Sequence, residues 1–378
     1  MKSITRCLAW GLLALMGSAA PFLTAADVSY QSLDDGRVQI LVDGELFTQF
    51  IPNFAGTPVF WPLLSADGSL LTRSLYRPQP DNKNKVVDGP FPAEDYARFL
   101  AGGDQAWTDI MRCSEMIRPV ESKDHPHQRS VWFDHGMVNG KDFWSCSPDT
   151  AISAELISAE KNSDGQVVLV IHCRWNDLSA GETLCEDTRT VTLGVIPTTA
   201  IRFIDYRIDL TAGGDPTVFG DTKEGSFGVR VASTMELGAK KKNPNWGGSI
   251  VNAEGLKDDD TWGKRTAWVN FNGKVAKHLT AEQIDAGADI QTAEMVNAGI
   301  VIMNHPDSFR FPSWYHVRGY GLFAVNPFGI KDFAPQDKLD GSATLQKGET
   351  LTFRYRLLIY DGELSSEEIA SLYEDYAK

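Results

Sequence analysis

Val38, Ile40 and Val42 take every second place between Asp-Gly pairs at 35 and 43, and this period of two specifies a short strand bounded by tight turns. The same β-branched and aromatic enrichment recurs at Gln166 to Trp175, Ile201 to Leu210, Phe227 to Ser233, Ala298 to Met303 and Leu351 to Tyr360. Helical spacing is clear only at the C-terminus. There Ser365 and Glu368 form a capping box ahead of Ile369, Leu372, Tyr373 and Tyr376. A second helix is expected from Pro92 to about Gly102, with Tyr96, Phe99 and Leu100 on one face. Glycine and proline are spread along the chain, with no repeat and no low-complexity linker. The expectation is an all-β protein, a large antiparallel two-sheet β-sandwich of supersandwich type with few short helices and a C-terminal helix. Residues 27–378 would form one domain.

Residues 1–26 read as a signal peptide, because Lys2 and Arg6 precede an apolar run from Cys7 to Met16 and small residues follow to Ala20 and Ala26. That run is too short to span a bilayer, and no later stretch approaches the roughly 20 apolar residues required. The expected location is periplasmic or secreted. Loss of Lys2 and Arg6 takes the formal charge from −14 to −16. So acidic a chain repels nucleic acid and anionic membranes. Cys113, Cys146, Cys173 and Cys185 remain after cleavage, and an oxidising compartment permits three pairings among them. Cys173 and Cys185 are equidistant from the polar stretch Asn176 to Glu182, which reads as a hairpin loop. A cross-strand disulfide there is weighed equally against four buried thiols.

Chemistry concentrates in Asp124-His125-Pro126-His127-Gln128-Arg129-Ser130-Val131-Trp132-Phe133-Asp134-His135-Gly136, which holds three of the seven histidines. His305-Pro306 and Trp314-Tyr315-His316-Val317-Arg318 add two more histidines and further cationic and aromatic groups. The two segments are expected to meet in space. If Arg129 to His135 is a strand, Arg129, Val131, Phe133 and His135 face one way and Ser130, Trp132 and Asp134 the other. His125 and His127, in extended chain about Pro126, would project to one side.

The blocks DHPHQRSVWFDHGMVNGKDFW (124 to 144), GDTKEGSFGVRVA (220 to 232), TWGKRTAWVNFNG (261 to 273) and HPDSFRFPSWYHVRGYGLFAVNPFG (305 to 329) resemble a bacterial family of exported proteins catalogued as methane oxygenase PmoA-like, otherwise a domain of unknown function. The resemblance covers about the last two thirds of the chain. It implies a β-sandwich and, through the sugar-handling and glycan-degrading enzymes often encoded nearby, carbohydrate metabolism. Methane oxidation is not implied, since that membrane subunit is a helical bundle. The chain departs from the family pattern at Gln128, where a further histidine is common, and at residues 77–123, which read as an insertion or lid.

Imidazoles titrate near the working pH, so His127 and His316 are the candidate proton-transfer residues, with Glu224 orienting or sharing that work. His125, Arg129, His135, Lys223, Arg230, Trp262, His305, Trp314 and Arg318 are candidates for substrate binding. The arginines suit a carboxylate or sugar oxygen, and Trp132, Trp144, Trp262, Trp314 and Tyr315 offer flat faces to a pyranose ring. Each has a plainer alternative: strand histidines are often structural, tryptophans fill cores, and Lys223 with Glu224 is a surface pair worth under ~1 kcal/mol. His172 and His278 lie outside the motifs. No metal ligand set and no cofactor are assigned. Zinc or copper on His125 and His127 with His305 or His316 is the outside possibility. Glu224 is the only strong carboxylate in the motifs, whereas ordinary glycoside hydrolysis uses two.

The expected function is therefore an exported protein that binds a sugar or sugar acid, with His/Glu acid–base chemistry such as epimerisation, elimination or hydrolysis. A non-catalytic glycan-binding module and a zinc or copper protein linked to oxidation are the alternatives. The expected partner is a carbohydrate or small polar ligand, with no nucleic acid and no membrane span. Oligomeric state is not legible.

Overall fold

The computed structural model describes residues 26–79, 82–86 and 105–378. All but the last residue of the expected signal peptide, and the whole of the expected Pro92–Gly102 helix, lie outside the described residues.

Two eight-stranded sheets dominate. The first runs β1 (Val28–Ser32), β2 (Val38–Val42), β3 (Glu45–Phe54), β4 (Thr57–Leu63), β7 (Val131–His135), β13 (Gly225–Arg230), β18 (Leu322–Asn326) and β17 (Trp314–Val317). The second runs β14 (Gly248–Asn252), β15 (Trp268–Ala276), β16 (Met295–Asn304), β20 (Thr350–Asp361), β11 (Arg202–Ala212), β10 (Glu182–Val195), β9 (Val167–Asp177) and β8 (Thr150–Lys161). Two small ribbons, β5 (Pro78–Gln79) with β6 (Asn82–Val86) and β12 (Thr217–Phe219) with β19 (Ala343–Leu345), complete the strands among the described residues. Every ladder is antiparallel. The expected β-sandwich is therefore the observed fold.

Alternation explains the layers. In β9, Val167, Leu169, Ile171, Cys173 and Trp175 are buried while the residues between them reach toward solvent. The inner faces of the two sheets meet through aromatic pairs. Phe227 stacks on Tyr355 at 4.8 Å, Phe133 lies 5.6 Å from Phe353, and Phe60 meets Tyr206 edge-on at 5.7 Å. Each such pair contributes about 0.5–1.5 kcal/mol beyond its buried area. The outer faces are covered as well. The helix Gln105–Ile117, inside the stretch read as an insertion, brings Trp107 to within 5.8 Å of Trp61 on the first sheet. The C-terminal helix Ser366–Tyr376 has the expected Ser365–Glu368 capping box and buries Ile369 and Tyr376 on the second sheet. Among the described residues no helix is long and apolar enough to cross a membrane.

The four cysteines are free. The expected hairpin exists, but it pairs Glu182 with Asp177, one place off the symmetric register, and a β-bulge between Thr183 and Cys185 shifts it further, so Cys185 opposes Trp175 and Cys173 opposes Asp187. Symmetric spacing about the loop therefore does not bring the two sulfurs together.

Candidate functional site

The ladder registers place His316 (β17), Ala324 (β18), Gly228 (β13) and Trp132 (β7) in one row across the outer face of the first sheet. Two small residues thus separate a histidine from a tryptophan. A Cβ on Gly228 would lie 2.7 Å from Cζ2 of Trp132, so the indole occupies the space that a side chain would take. Trp144 packs against Trp132 at 5.1 Å. On this face the chain forms a cavity of about 620 Å³, and the expected meeting of the distant segments occurs there. His125, His127, Lys223, Glu224, His316 and Arg318 all line it, with Gln128, Asp142, Trp144, Thr222 and Tyr320.

The His125–His127 loop is held from below by two buried arginines. Arg73 donates to the carbonyl oxygens of Ser122 (2.8 Å), Asp124 (2.6 Å), His125 (2.9 Å) and Gln128 (3.0 Å). Arg230 donates to Oε1 of Gln128 (2.6 Å) and to Oδ1 of Asp124 (3.0 Å), and packs over the Tyr320 ring. Burial lowers Arg73 to about 9, helped by the like charge of Arg230 and opposed by Glu121 and Asp124. Above this platform, Nδ1 of His125 lies 2.7 Å from Oδ2 of Asp124. Burial pushes the Asp124 carboxyl up. The His125 hydrogen bond and the charges of Arg230 and Arg73 outweigh it and hold Asp124 well below the usual carboxylate range. The His125 ring stacks on Tyr320 at 5.1 Å, and the His127 ring stands edge-on to it at 5.6 Å. Both imidazoles do project to one side, but His125 has φ +46° rather than the extended conformation expected before proline.

On the opposite wall, Nδ1 of His316 donates to the Lys223 carbonyl at 2.9 Å, so the lone pair sits on Nε2. Burial lowers this histidine to about 3 against the pull of that hydrogen bond. It stays neutral near pH 7, which suits a hydrogen-bond acceptor better than a proton donor. Glu224 pairs with Lys223 at 3.2 Å, both partly exposed. Its carbonyl accepts from the Gly136 amide at 2.7 Å, an approach that a Cβ on Gly136 would block. The Arg318 guanidinium lies 5.6 Å over the Trp262 ring, and Trp262 in turn lies 6.4 Å from His316.

The remaining sequence candidates lie elsewhere. His135 is buried on the core side, with Nε2 2.8 Å from the Gly220 carbonyl and its ring 4.7 Å from Phe328. Burial lowers it to about 4. His135 and Trp132 thus face opposite ways, as the alternation requires. Arg129 precedes the strand and breaks that alternation, since it pairs with Asp134 at 3.1 Å beneath the sheet face and touches the Cys146 sulfur. Burial raises Asp134 to about 7 despite Arg129. Arg230 stands behind the cavity wall as a support. His305 belongs to the other sheet, 5.1 Å from Tyr376 of the C-terminal helix, because the chain crosses between sheets after Asn304. Trp314 packs with Ile330 and Phe333 and carries Arg265 over its ring at 4.8 Å. Tyr315 is buried in the core, donating to the Ile302 carbonyl at 3.0 Å, and offers no sugar platform.

Asp142 and Tyr320 were not singled out from sequence. Asp142 sits inside the histidine block, and Tyr320 hides between two glycines that read as a turn. A second groove of about 640 Å³ near Lys240, Trp246 and Asn272 contains no histidine and none of the expected site residues. Among the described residues no three His, Cys, Asp or Glu side chains form a group that could hold a metal ion.

No curated protein matches the chain. The family model described as a family of unknown function, DUF6807, matches residues 100–374, a span that contains every lining residue of the cavity. The chain therefore belongs to the DUF6807 family.

Proposed function

We propose that this chain is an exported protein whose cavity binds a sugar or sugar acid and carries out acid–base chemistry on it. The observation that carries the reading is the convergence of three imidazoles, Glu224, two cations and the rings of Trp144 and Tyr320 on one open cavity. About 620 Å³ lies within the range of small-molecule sites. Flat rings suit the apolar faces of a pyranose, and the polar groups suit its hydroxyls. The sugar-metabolism association of the resembling exported family points the same way. Glu224, beside Lys223, is the carboxylate placed to share proton transfer with the histidines, while His316 accepts a hydrogen bond through Nε2. The zinc or copper alternative does not fit the side chains described, so no step is drawn through a metal.

The test is a saccharide array with the purified protein, followed by mass spectrometry of the bound sugars. Binding with conversion, lost in Glu224→Gln and His127→Ala variants that still fold, supports the enzyme. Binding with the sugar recovered unchanged leaves a glycan-binding module. Absence of any saccharide binding overturns the proposal.

A further inference from the structure

We propose that the Asp124–His125 pair is the proton-transferring element of the cavity and that its substrate is an acidic sugar whose carboxylate is held by Arg318. This rests on the sugar-binding reading above.

Three histidines line the cavity, and their surroundings differ. His316 spends Nδ1 on a backbone carbonyl. His127 is buried, with only 5% of its surface exposed. The His125 side chain is 40% exposed, and its Nδ1 faces a carboxylate at 2.7 Å. Asp124 is held ionised, so it accepts from Nδ1–H and leaves Nε2 as the ring atom for proton exchange. A carboxylate behind a histidine fixes its tautomer and stabilises the imidazolium that forms when Nε2 takes a proton. Asp124 is itself fixed, since Arg230 donates to its Oδ1 and Arg73 to its carbonyl. His125 occupies a left-handed backbone conformation, sparsely populated for a non-glycine residue, and Arg73 grips its carbonyl. Stacking on Tyr320 sets the ring plane. The charged groups around this ring are thus Asp124, Arg73 and Arg230 beneath its loop, and Asp142, Lys223, Glu224 and Arg318 in the rest of the cavity lining.

The cations define the substrate. Lys223 is paired with Glu224, but Arg318 is exposed and makes no ion pair among the described residues. A guanidinium spread over an indole presents its donor edge to a planar anion, and a carboxylate matches that edge bidentately. On a uronic acid, Nε2 of His125 takes the proton from the carbon next to the carboxylate. The C–H bond breaks, an N–H bond forms, and the electron pair shifts toward the carboxylate facing Arg318. That pair then either recaptures a proton at the same carbon or forms a double bond to the next carbon as its oxygen substituent departs. The departing oxygen takes the proton back from His125, so no other reactant is consumed.

The experiment uses the full chain in D2O with sodium D-galacturonate, D-glucuronate and their 1→4-linked disaccharides, and with D-galactose and D-glucose as neutral probes. Binding is read by calorimetry, and deuterium incorporation and unsaturated products by mass spectrometry. Uronates should bind about tenfold or more tightly than the neutral sugars. Arg318→Gln should erase that preference by weakening uronate binding far more than neutral-sugar binding. His125→Asn, a replacement that tolerates the left-handed backbone, should keep uronate binding but lose deuterium incorporation by roughly 100-fold or more, with partial rescue by added imidazole. Asp124→Asn, at a positioning residue, should lower turnover with KM unchanged. Equal binding of acidic and neutral sugars, unaffected by Arg318→Gln, overturns the acidic substrate while leaving sugar binding intact. Undiminished exchange in His125→Asn overturns the dyad. Failure of every sugar to bind removes this inference together with the proposed function.

Discussion

Nδ1 of His316 donates to the carbonyl oxygen of Lys223 across 93 residues of sequence, at 2.9 Å. The bond fixes which ring nitrogen carries the proton, while burial keeps this imidazole neutral inside the cavity.

That neutrality has a signature in stability. Burial takes His316 from 6.5 to about 3 and His135 from 6.5 to about 4. Both native values lie below the unfolded ones. Between about pH 4 and 6.5 the unfolded chain therefore binds protons that the native chain refuses, and stability falls on acidification. Above pH 6.5 the two states agree and the histidines contribute nothing. Asp134, raised from 3.8 to about 7 by burial, acts in the opposite sense, its contribution being lost as pH rises toward 7. His316→Asn should flatten the pH dependence by about one proton, or ~1.4 kcal/mol per pH unit between pH 4 and 6. Urea unfolding of both proteins across that range checks it. Parallel curves would contradict a neutral buried His316.

Arg73 should be costly to lose. Its guanidinium satisfies four carbonyls of the histidine loop, all approached from the buried side. Arg73→Met should lower stability by roughly 2–4 kcal/mol and raise hydrogen exchange in residues 122–128. A variant with an unchanged urea midpoint would mean that water replaces the arginine without penalty.

The packing of Trp132 on Gly228 gives a steric test. Gly228→Ala puts a methyl at 2.7 Å from the indole and should destabilise by about 1–3 kcal/mol. Trp132→Phe in the same chain should recover part of the loss, because the smaller ring vacates that space. Additive losses in the double variant would show that the two sites are not coupled.

The thiols give a chemical test. Burial pushes Cys113 up to about 11 and Cys173 and Cys185 well above the ordinary thiol value. Native protein should react slowly with a thiol reagent at neutral pH, and all four described cysteines should react once urea is added. Reducing agent should leave the unfolding midpoint unchanged. A midpoint that drops with reductant would reveal a disulfide.

Much of this architecture was legible in the residues, and the failures have physical causes. Alternation located the core strands because side-chain burial follows the strand period, and it also separated His135 from Trp132. The capping box marked the last helix because both of its bonds are local. The disulfide is absent because the hairpin pairs Glu182 with Asp177, one place away from the symmetric register, and the bulge then adds a second displacement; neither leaves a mark in spacing. His305 resembled His125 in having a proline beside it, yet a change of sheet separates them, and His305 is held there by the last strand and the C-terminal helix, contacts that sequence spacing does not reveal. Arg129 looked like a ligand clamp because a guanidinium reads the same whether it meets a carboxylate of a substrate or, as here, Asp134. The histidine block was expected to meet His305-Pro306 and Trp314–Arg318; the structure brings residues 125–128 to 316–318 in the cavity, together with 222–224 and Tyr320, and leaves His305 beside Tyr376.

The indole of Trp132 fills the space over Gly228, and Trp144 packs against that indole and lines the cavity, whereas Gly228, Ala324 and Trp132 do not. A layer of aromatic rings thus stands between the middle strands and any guest. A substitution in those strands reaches the guest only through two indoles, while one at Trp144 or Tyr320 meets it directly. Diversification of ligand size in such proteins should therefore be sought first in the segments that carry these two rings, and only afterwards in the strands beneath.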